Sequence, residues 1–185
     1  MKLSALLVVL AAADVCQAQD YLRKWNVYGA AGYGWTSDDE GSVGNGFAGG
    51  GGVGYRFNRR LEAVFDINAF RHRREGALGH AEFAGNGQYY TGNLLYHFSG
   101  SRFQPYILGG AGGIAYQVDR GINLPRDTST GGFAITFGAG AKAFVSERFS
   151  IRPEVRVYAG GRGAAGGIEP PIVNVRFAVG FGYHW

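Results

Sequence analysis

Several parts of this chain carry residue types able to do chemistry. His97, Phe98 and Ser99 place an imidazole and a hydroxyl two positions apart, and a hydroxyl becomes a nucleophile when a neighbouring base takes its proton. Arg71, His72, Arg73 and Arg74 concentrate guanidinium groups, which pair with phosphate in bidentate fashion. Asp38, Asp39 and Glu40 are consecutive acids that attract a divalent cation, but their spacing is not that of an ordered calcium loop, so a solvated acidic loop is expected. Residues 49–52 are all glycine, and a phosphate cradle built from them would need a following helix. No helical period follows, and a structural use of these glycines is expected. The largest set is dispersed: Arg56, Glu62, Asp66, Asn68, Asn93, His97, Lys142, Arg152, Glu154, Arg156 and Arg176.

The positions of that dispersed set show what must hold it. In 61–70, Leu61, Ala63, Phe65, Ile67 and Ala69 alternate with Glu62, Asp66 and Asn68. In 149–157, Phe149, Ile151, Val155 and Val157 alternate with Arg152, Glu154 and Arg156. The closing segment 175–185 puts Val175, Phe177, Val179, Phe181, Tyr183 and Trp185 on one face and Arg176, Ala178, Gly180, Gly182 and His184 on the other. Successive side chains of a strand point to opposite faces, so each segment reads as a strand with one apolar and one polar or empty face. Segments 25–35, 47–57, 90–98 and 133–143 follow the same pattern, with Trp25, Val27, Tyr33 and Trp35 leading the first apolar face. In 106–116 the larger residues Tyr106, Leu108, Ile114 and Tyr116 share a face opposite mostly small ones, and by analogy that face is read as the apolar exterior.

That makes eight strands of about ten residues, which at ~3.3 Å per residue and ~45° tilt span roughly 24 Å. The length matches the apolar band of a membrane β-barrel, and an even number closes the sheet without edges. The opposite pleat would put Lys142, Arg152 and Arg156 in lipid at about 2–4 kcal/mol each near the midplane, so the charges are expected to point inward. There they should form a hydrogen-bonded ion-pair network, because a lone buried charge is strongly unfavourable. Connections alternate between short (58–60, 99–104, 145–148) and long (36–46, 71–87, 117–131, 159–170). Short turns belong to the periplasmic side, with both termini, and long loops to the outside. Trp25, Tyr33, Trp35, Tyr116, Tyr183 and Trp185 are placed as interfacial girdles.

Composition and the amino terminus agree. Glycine accounts for 33 of 185 residues and aromatics for 15%, without the triplet repeat of collagen, and the net charge of +4 does not argue for nucleic acid. Lys2, the apolar run 3–13 and the small residues Cys16 and Ala18 read as a secretory signal over residues 1–18, with 19–185 as one barrel domain. The apolar run is too short to span a bilayer, which needs roughly 20 residues. Cys16 is the sole cysteine, so no disulfide is expected after cleavage.

At this point the chain resembles the small eight-stranded outer-membrane barrels, such as the transmembrane domain of outer-membrane protein A, outer-membrane protein X and the opacity proteins. The resemblance is carried by Leu61-Glu62-Ala63 and the strand after it, Pro105-Tyr106 followed by the stretch from Gly109 to Gly113, Gly138-Ala139-Gly140, and the terminal Phe181-Gly182-Tyr183-His184-Trp185. Many members end in phenylalanine, and Trp185 keeps the aromatic character. The resemblance implies an all-β, antiparallel, up-and-down transmembrane barrel in the bacterial outer membrane, with a structural or cell-surface interaction role and no catalysis. It implies contact with outer-membrane lipid and lipopolysaccharide, for which Arg71, His72, Arg73 and Arg74 are the candidates. It also implies recognition by the outer-membrane assembly machinery through Phe177, Val179, Phe181, Tyr183 and Trp185. No cofactor, metal or nucleic acid is expected, and the barrel is expected to be a monomer. A narrow ion-conducting channel through the polar lumen is the alternative. A lipid A-modifying barrel enzyme is a further one: barrel deacylases use a His-x-Ser pair, which His97 and Ser99 match in spacing, but at the periplasmic end, away from the outer leaflet. A soluble lipocalin-type barrel would need the faces reversed.

Overall fold

A computed structural model of the chain describes residues 23–38, 41–74, 83–119, 130–164, 167–168 and 172–185. Eight long strands dominate: β1 (Trp25–Asp38), β2 (Gly41–Arg56), β3 (Leu61–Arg74), β4 (Phe83–His97), β5 (Phe103–Asp119), β6 (Thr130–Phe144), β7 (Phe149–Ala164) and β9 (Ile172–His184). The two-residue β8 (Gly167–Ile168) pairs antiparallel with the last residues of β7, Gly163 and Ala164. Every neighbouring pair is antiparallel, β7 also pairs with β9, and β1 pairs with β9 from Asn26↔His184 to Ser37↔Val173. Trp25 and Trp185 exchange backbone hydrogen bonds of 3.1 and 3.0 Å at the seam. The sheet is therefore a closed eight-stranded barrel, and closure leaves its strands no unpaired edge.

Alternation decides which face is which. Phe181, Phe133, Phe47 and Phe137 are exposed around the outside, as are the even-numbered Tyr90, Leu94 and Tyr96 of β4, while Arg176, Glu62 and Asp66 are buried within. A belt of exposed apolar side chains this extensive is untenable in water and natural in lipid. Aromatics bound the belt at both ends. Trp25 meets Tyr55 edge-on at 4.9 Å, and Tyr183 stacks on Trp185 at one end. Tyr33, Trp35 and Phe177 form successive edge contacts of 5.3 and 5.4 Å toward the other. The side chain of Tyr116 lies outside the described residues.

Two expectations from sequence are corrected. The strands run 13–17 residues, not ten, so much of the chain assigned to long loops is strand extending past the apolar belt. β1 and β2 nearly meet across 39–40, with a register shift between Thr36 and Ser37, and Gly44 (φ 143°) sits opposite in a conformation that glycine tolerates best. The residues connecting the other strands at that end fall outside the described residues. The second correction is β5. Tyr106, Leu108 and Ile114 face inward and are buried, and Ile107 is exposed instead. No charge in this strand marks its inner face, and the buried Tyr106 hydroxyl has polar partners only in the lumen: it donates to Glu154 Oε2 at 2.7 Å and accepts from Arg152 Nε at 2.6 Å.

The turns at the end where β1 begins and β9 stops are short and locally determined. In the β2–β3 turn, Asn58 Oδ1 accepts from the backbone N–H of Arg60 and Leu61 (2.8 and 2.9 Å), an Asx turn. In the β6–β7 turn, Ser146 Oγ accepts from Arg148 and Phe149 N–H.

Candidate functional site

The lumen gathers the polar residues of the chain. Arg56, Glu62, Asp66, Asn68, Asn93, His97, Lys142, Arg152, Glu154, Arg156 and Arg176 are all buried inside the barrel. They are arranged in levels. Nearest the short turns, Glu62 of β3 receives Lys142 Nζ from β6 at 2.7 Å on both carboxylate oxygens. Arg56 Nη2 lies 3.3 Å from Glu62 Oε2, His97 Nε2 lies 2.9 Å from it, and Asn26 Nδ2 donates to Oε1 at 3.0 Å. Gln104 accepts from Arg56 at 2.8 Å.

The middle level is built around two carboxylates. Glu154 holds three guanidinium groups: Arg152 Nη2 at 2.9 Å on Oε2, and Arg156 Nε at 2.5 Å and Arg176 Nη2 at 2.8 Å on Oε1. Asp66 accepts from Tyr28 OH (2.8 Å), Thr91 Oγ1 (2.7 Å), Asn68 Nδ2 (2.7 Å), Asn93 Nδ2 (3.2 Å) and Arg156 Nη1 (2.6 Å). Arg156 thus bridges β3 and β7 across the lumen. Arg176 also donates to Asn68, and the Arg152 guanidinium lies over the Tyr28 ring, 4.1 Å from its centroid.

Toward the loop end the lumen turns apolar. Phe70, Tyr89 and Tyr158 contact one another at centroid distances of 4.7–5.3 Å and pack with Ala48, Ile114 and Ala134. Asn174 donates to the Tyr89 hydroxyl, and Thr36 donates to Asn174. This aromatic layer is absent from the candidate set read from sequence, as are Asn26, Tyr28, Tyr106, Gln104 and His184. Face parity within β1, β4 and β7 would have found Tyr28, Tyr89 and Tyr158, since each shares the parity of a polar residue on its strand. Their apolar character masked them.

The remaining candidates separate. His97 points into the lumen toward Glu62, whereas Ser99 Oγ pairs with Ser101 Oγ at 2.8 Å, so these two residues engage different partners. A serine–histidine contact does occur elsewhere, Ser150 Oγ to His184 Nε2 at 2.9 Å, with the His184 ring 4.7 Å from that of Phe144. Both side chains are buried at the short-turn end of the lumen. Arg71 is exposed on the outer face of β3 near its loop end; His72, Arg73 and Arg74 continue the strand, but their side chains lie outside the described residues. Asp39 and Glu40 and residues 1–18, read from sequence as a secretory signal, also lie outside them. The described residues contain no cluster of three or more metal-binding side chains. Of the assembly-signal candidates, Phe177, Val179, Phe181 and Trp185 are exposed on the outer face of β9 and Tyr183 is half-buried.

Comparison with known proteins places this geometry. No curated protein matches the chain in sequence. Among solved structures, neisserial surface protein A superposes with a TM-score of 0.69 at 17% identity, covering 87% of this chain and 97% of that one. Ail, the attachment invasion locus protein of Yersinia pestis, gives 0.57 at 14% identity, covering 88% and 99%. The amino-terminal barrel of Pseudomonas aeruginosa OprF gives 0.55 at 16%, covering 88% and 98%. At such identities these likenesses speak for the fold. The model of the outer membrane protein beta-barrel domain matches residues 3–184. The chain belongs to that family, and its place is the bacterial outer membrane.

Proposed function

We propose that this protein is a closed, non-conducting barrel whose work is structural and done at the cell surface, without catalysis. The observation that supports this most directly is the bonding across the lumen. Glu62–Lys142, Asp66–Arg156 and Asn68–Arg176 tie β3 to the opposite wall at successive levels, and Phe70, Tyr89 and Tyr158 fill the section above. An eight-stranded barrel is just wide enough for its own side chains to fill, and these fill it. The separation of His97 from Ser99 supports a non-catalytic reading, since neither is placed to activate the other. Following the short-turn rule, the aromatic layer lies on the outer side, and Arg71 to Arg74 meet the phosphates of lipopolysaccharide. The barrel works as a monomer and enters the membrane through the assembly machinery by its β9 face.

Planar-bilayer recording with purified, refolded protein tests this reading. A quiet baseline is expected. Discrete conductance that disappears on substituting lumen residues would overturn it and favour the ion-channel alternative. Replacing Phe70, Tyr89 and Tyr158 together with alanine should leave conductance blocked by the ion-pair levels beneath.

A further inference from the structure

The short-turn end of the barrel carries a regular ring of cations. Lys24, Arg60, Arg102 and Arg148 each stand immediately before a strand, β1, β3, β5 and β7 in turn. The backbone carbonyl of each accepts from the last residue of the returning strand beside it: Lys24 from Arg56, Arg60 from His97, Arg102 from Phe144 and Arg148 from His184, at 2.7–2.9 Å. The four therefore occupy the same ladder position on alternate strands around the closed barrel, and all four are exposed. Arg59 is exposed beside them and Arg23 is half-buried, while Glu147 is the one acidic side chain exposed at this rim among the described residues. Solvating a turn takes either sign of charge; this rim uses one. The ring also adjoins lipid-facing surface. Trp25, Leu61, Phe103 and Phe149 follow the four cations directly and open the outer faces of their strands. Arg60 Nη1 donates to the hydroxyl of Tyr96, exposed on the outer wall of β4, at 3.3 Å. Arg102 is held by two backbone carbonyls where β6 ends, Phe144 O at 2.6 Å and Val145 O at 3.0 Å. A level at which lipid-facing aromatics stop and cations begin is the level of phospholipid headgroups.

We propose that this rim is a docking surface for anionic phospholipid of the inner leaflet, a diacyl lipid whose headgroup carries net negative charge. Acyl chains lie against the apolar residues that open the strands, and the phosphates meet the cations that precede them. The ring reads net charge: the amine of a zwitterionic headgroup is repelled by the same cations that attract its phosphate. A soluble acidic partner would be met by cations aimed away from the membrane, whereas Arg60 lies against the outer wall at Tyr96. The short-turn rule puts this end at the inner leaflet, and the proposal rests on that orientation and not on what fills the lumen.

The test uses refolded full-length barrel in nanodiscs of phosphatidylethanolamine and phosphatidylglycerol, with the lipids retained on the protein counted by native mass spectrometry. Phosphatidylglycerol should be retained in excess of its share of the disc. Lys24→Gln combined with Arg148→Gln leaves the Arg60 and Arg102 contacts in place, and should lower that preference about fivefold per charge removed while heat-modifiable gel mobility stays that of the folded barrel. Arg148→Gln alone against Arg148→Lys gives a comparison of charge at one position, in which only the glutamine should weaken retention. No excess of phosphatidylglycerol on the parent, or an excess untouched by these substitutions, would overturn the proposal; loss of binding to isolated peptidoglycan in the second case would assign the rim to the cell wall. Glu147→Cys should stay unlabelled by a membrane-impermeant maleimide on intact cells, and labelling above that of the parent would put the rim outside and overturn the inner-leaflet assignment. Bilayer recording is independent of these outcomes: conductance removes the plugged-lumen reading and leaves the ring as it stands.

Discussion

Replacing Glu154 with glutamine should be the most damaging conservative change in the lumen. One carboxylate there neutralises Arg152, Arg156 and Arg176, all three buried within a barrel surrounded by lipid. The loss is unequal among them. Arg156 keeps Asp66 at 2.6 Å, Arg152 keeps the Tyr106 hydroxyl, and Arg176 keeps the neutral Asn68 and the face of the Tyr158 ring, with no second carboxylate within ion-pair distance among the described residues. The glutamine amide also places an N–H₂ where guanidinium donors converge. Removing one partner of a buried ion pair costs about 3–5 kcal/mol, because a charge is left uncompensated. With two guanidinium groups losing their carboxylate, the upper part of that range is expected. The lipid-facing Trp25, Trp35 and Trp185 are natural fluorescence reporters for urea unfolding in phospholipid vesicles. Glu147→Gln is the control: this residue is exposed in the β6–β7 turn, 3.7 Å from Arg23, and should change stability by less than about 1 kcal/mol. If Glu154→Gln unfolds within 1 kcal/mol of the parent, the network is not what holds the lumen, and the reasoning fails. Combining it with Arg176→Met provides a second check. Two members of one ion-pair network should couple by about 0.5–3 kcal/mol, whereas independent sites would simply add.

Three further outcomes follow from the same geometry. Phe137→Arg, in the middle of the lipid-facing belt, should destabilise by about 2–4 kcal/mol, and Phe103→Arg, at the start of β5, by about 0–1 kcal/mol; equal costs in vesicle unfolding would refute the depth assignment. Gly112→Ala should be poorly tolerated, because its Cβ would fall on the Tyr90 carbonyl oxygen, whereas Gly113→Ala meets its nearest atom at 3.7 Å; denaturation midpoints should separate the two neighbours clearly. Trp185→Ala removes the side chain stacked on Tyr183 beside the β1–β9 seam, and should lower the folded, heat-modifiable fraction recovered from outer membranes. Normal recovery would remove this residue from assembly.

The fold was legible wherever charge labelled one face of a strand. Glu62 and Asp66 in β3, and Arg152, Glu154 and Arg156 in β7, fixed their pleats because the alternative puts charge in lipid. β5 carries no such label between Tyr106 and Tyr116, and there the larger side chains face the lumen. A tyrosine can serve either side, as a girdle residue or as a buried hydroxyl, and only its partners decide. The strand ends were misjudged for a related reason. Polar and glycine-rich residues read as loop when strand is equated with a greasy face, yet a barrel that rises out of the bilayer needs no apolar face there. Pairings across the lumen were out of reach altogether. Lys142 and Glu62 are 80 positions apart and Arg156 and Asp66 are 90 apart, and which levels coincide depends on the stagger of all eight strands.

The high glycine content and the inward charges are one design and not two. Several polar side chains in the lumen have an inward glycine beside them on an adjacent strand. A Cβ on Gly52 would lie 2.6 Å from that of Asp66, one on Gly54 would lie 2.7 Å from Glu62 Oε1, and one on Gly138 would lie 2.9 Å from Arg156 Cγ. One on Gly140 would lie 2.6 Å from the Tyr106 hydroxyl, and one on Gly182 2.8 Å from Ser150 Oγ. Glycine weakens a strand by roughly 0.5–1 kcal/mol relative to alanine, so these positions are unfavourable taken singly. They persist because alanine would displace a network member, and an unpaired buried charge costs several times more. The run at 49–52 divides accordingly: Gly50 and Gly52 lie beside Asn68 and Asp66 on the lumen face, while Gly49, on the opposite parity, lines an open groove on the lipid face with Phe47 and Ala69. A phosphate-loop reading of that run fails for lack of a helix, and a flexible-linker reading fails because every residue of it lies within a paired strand.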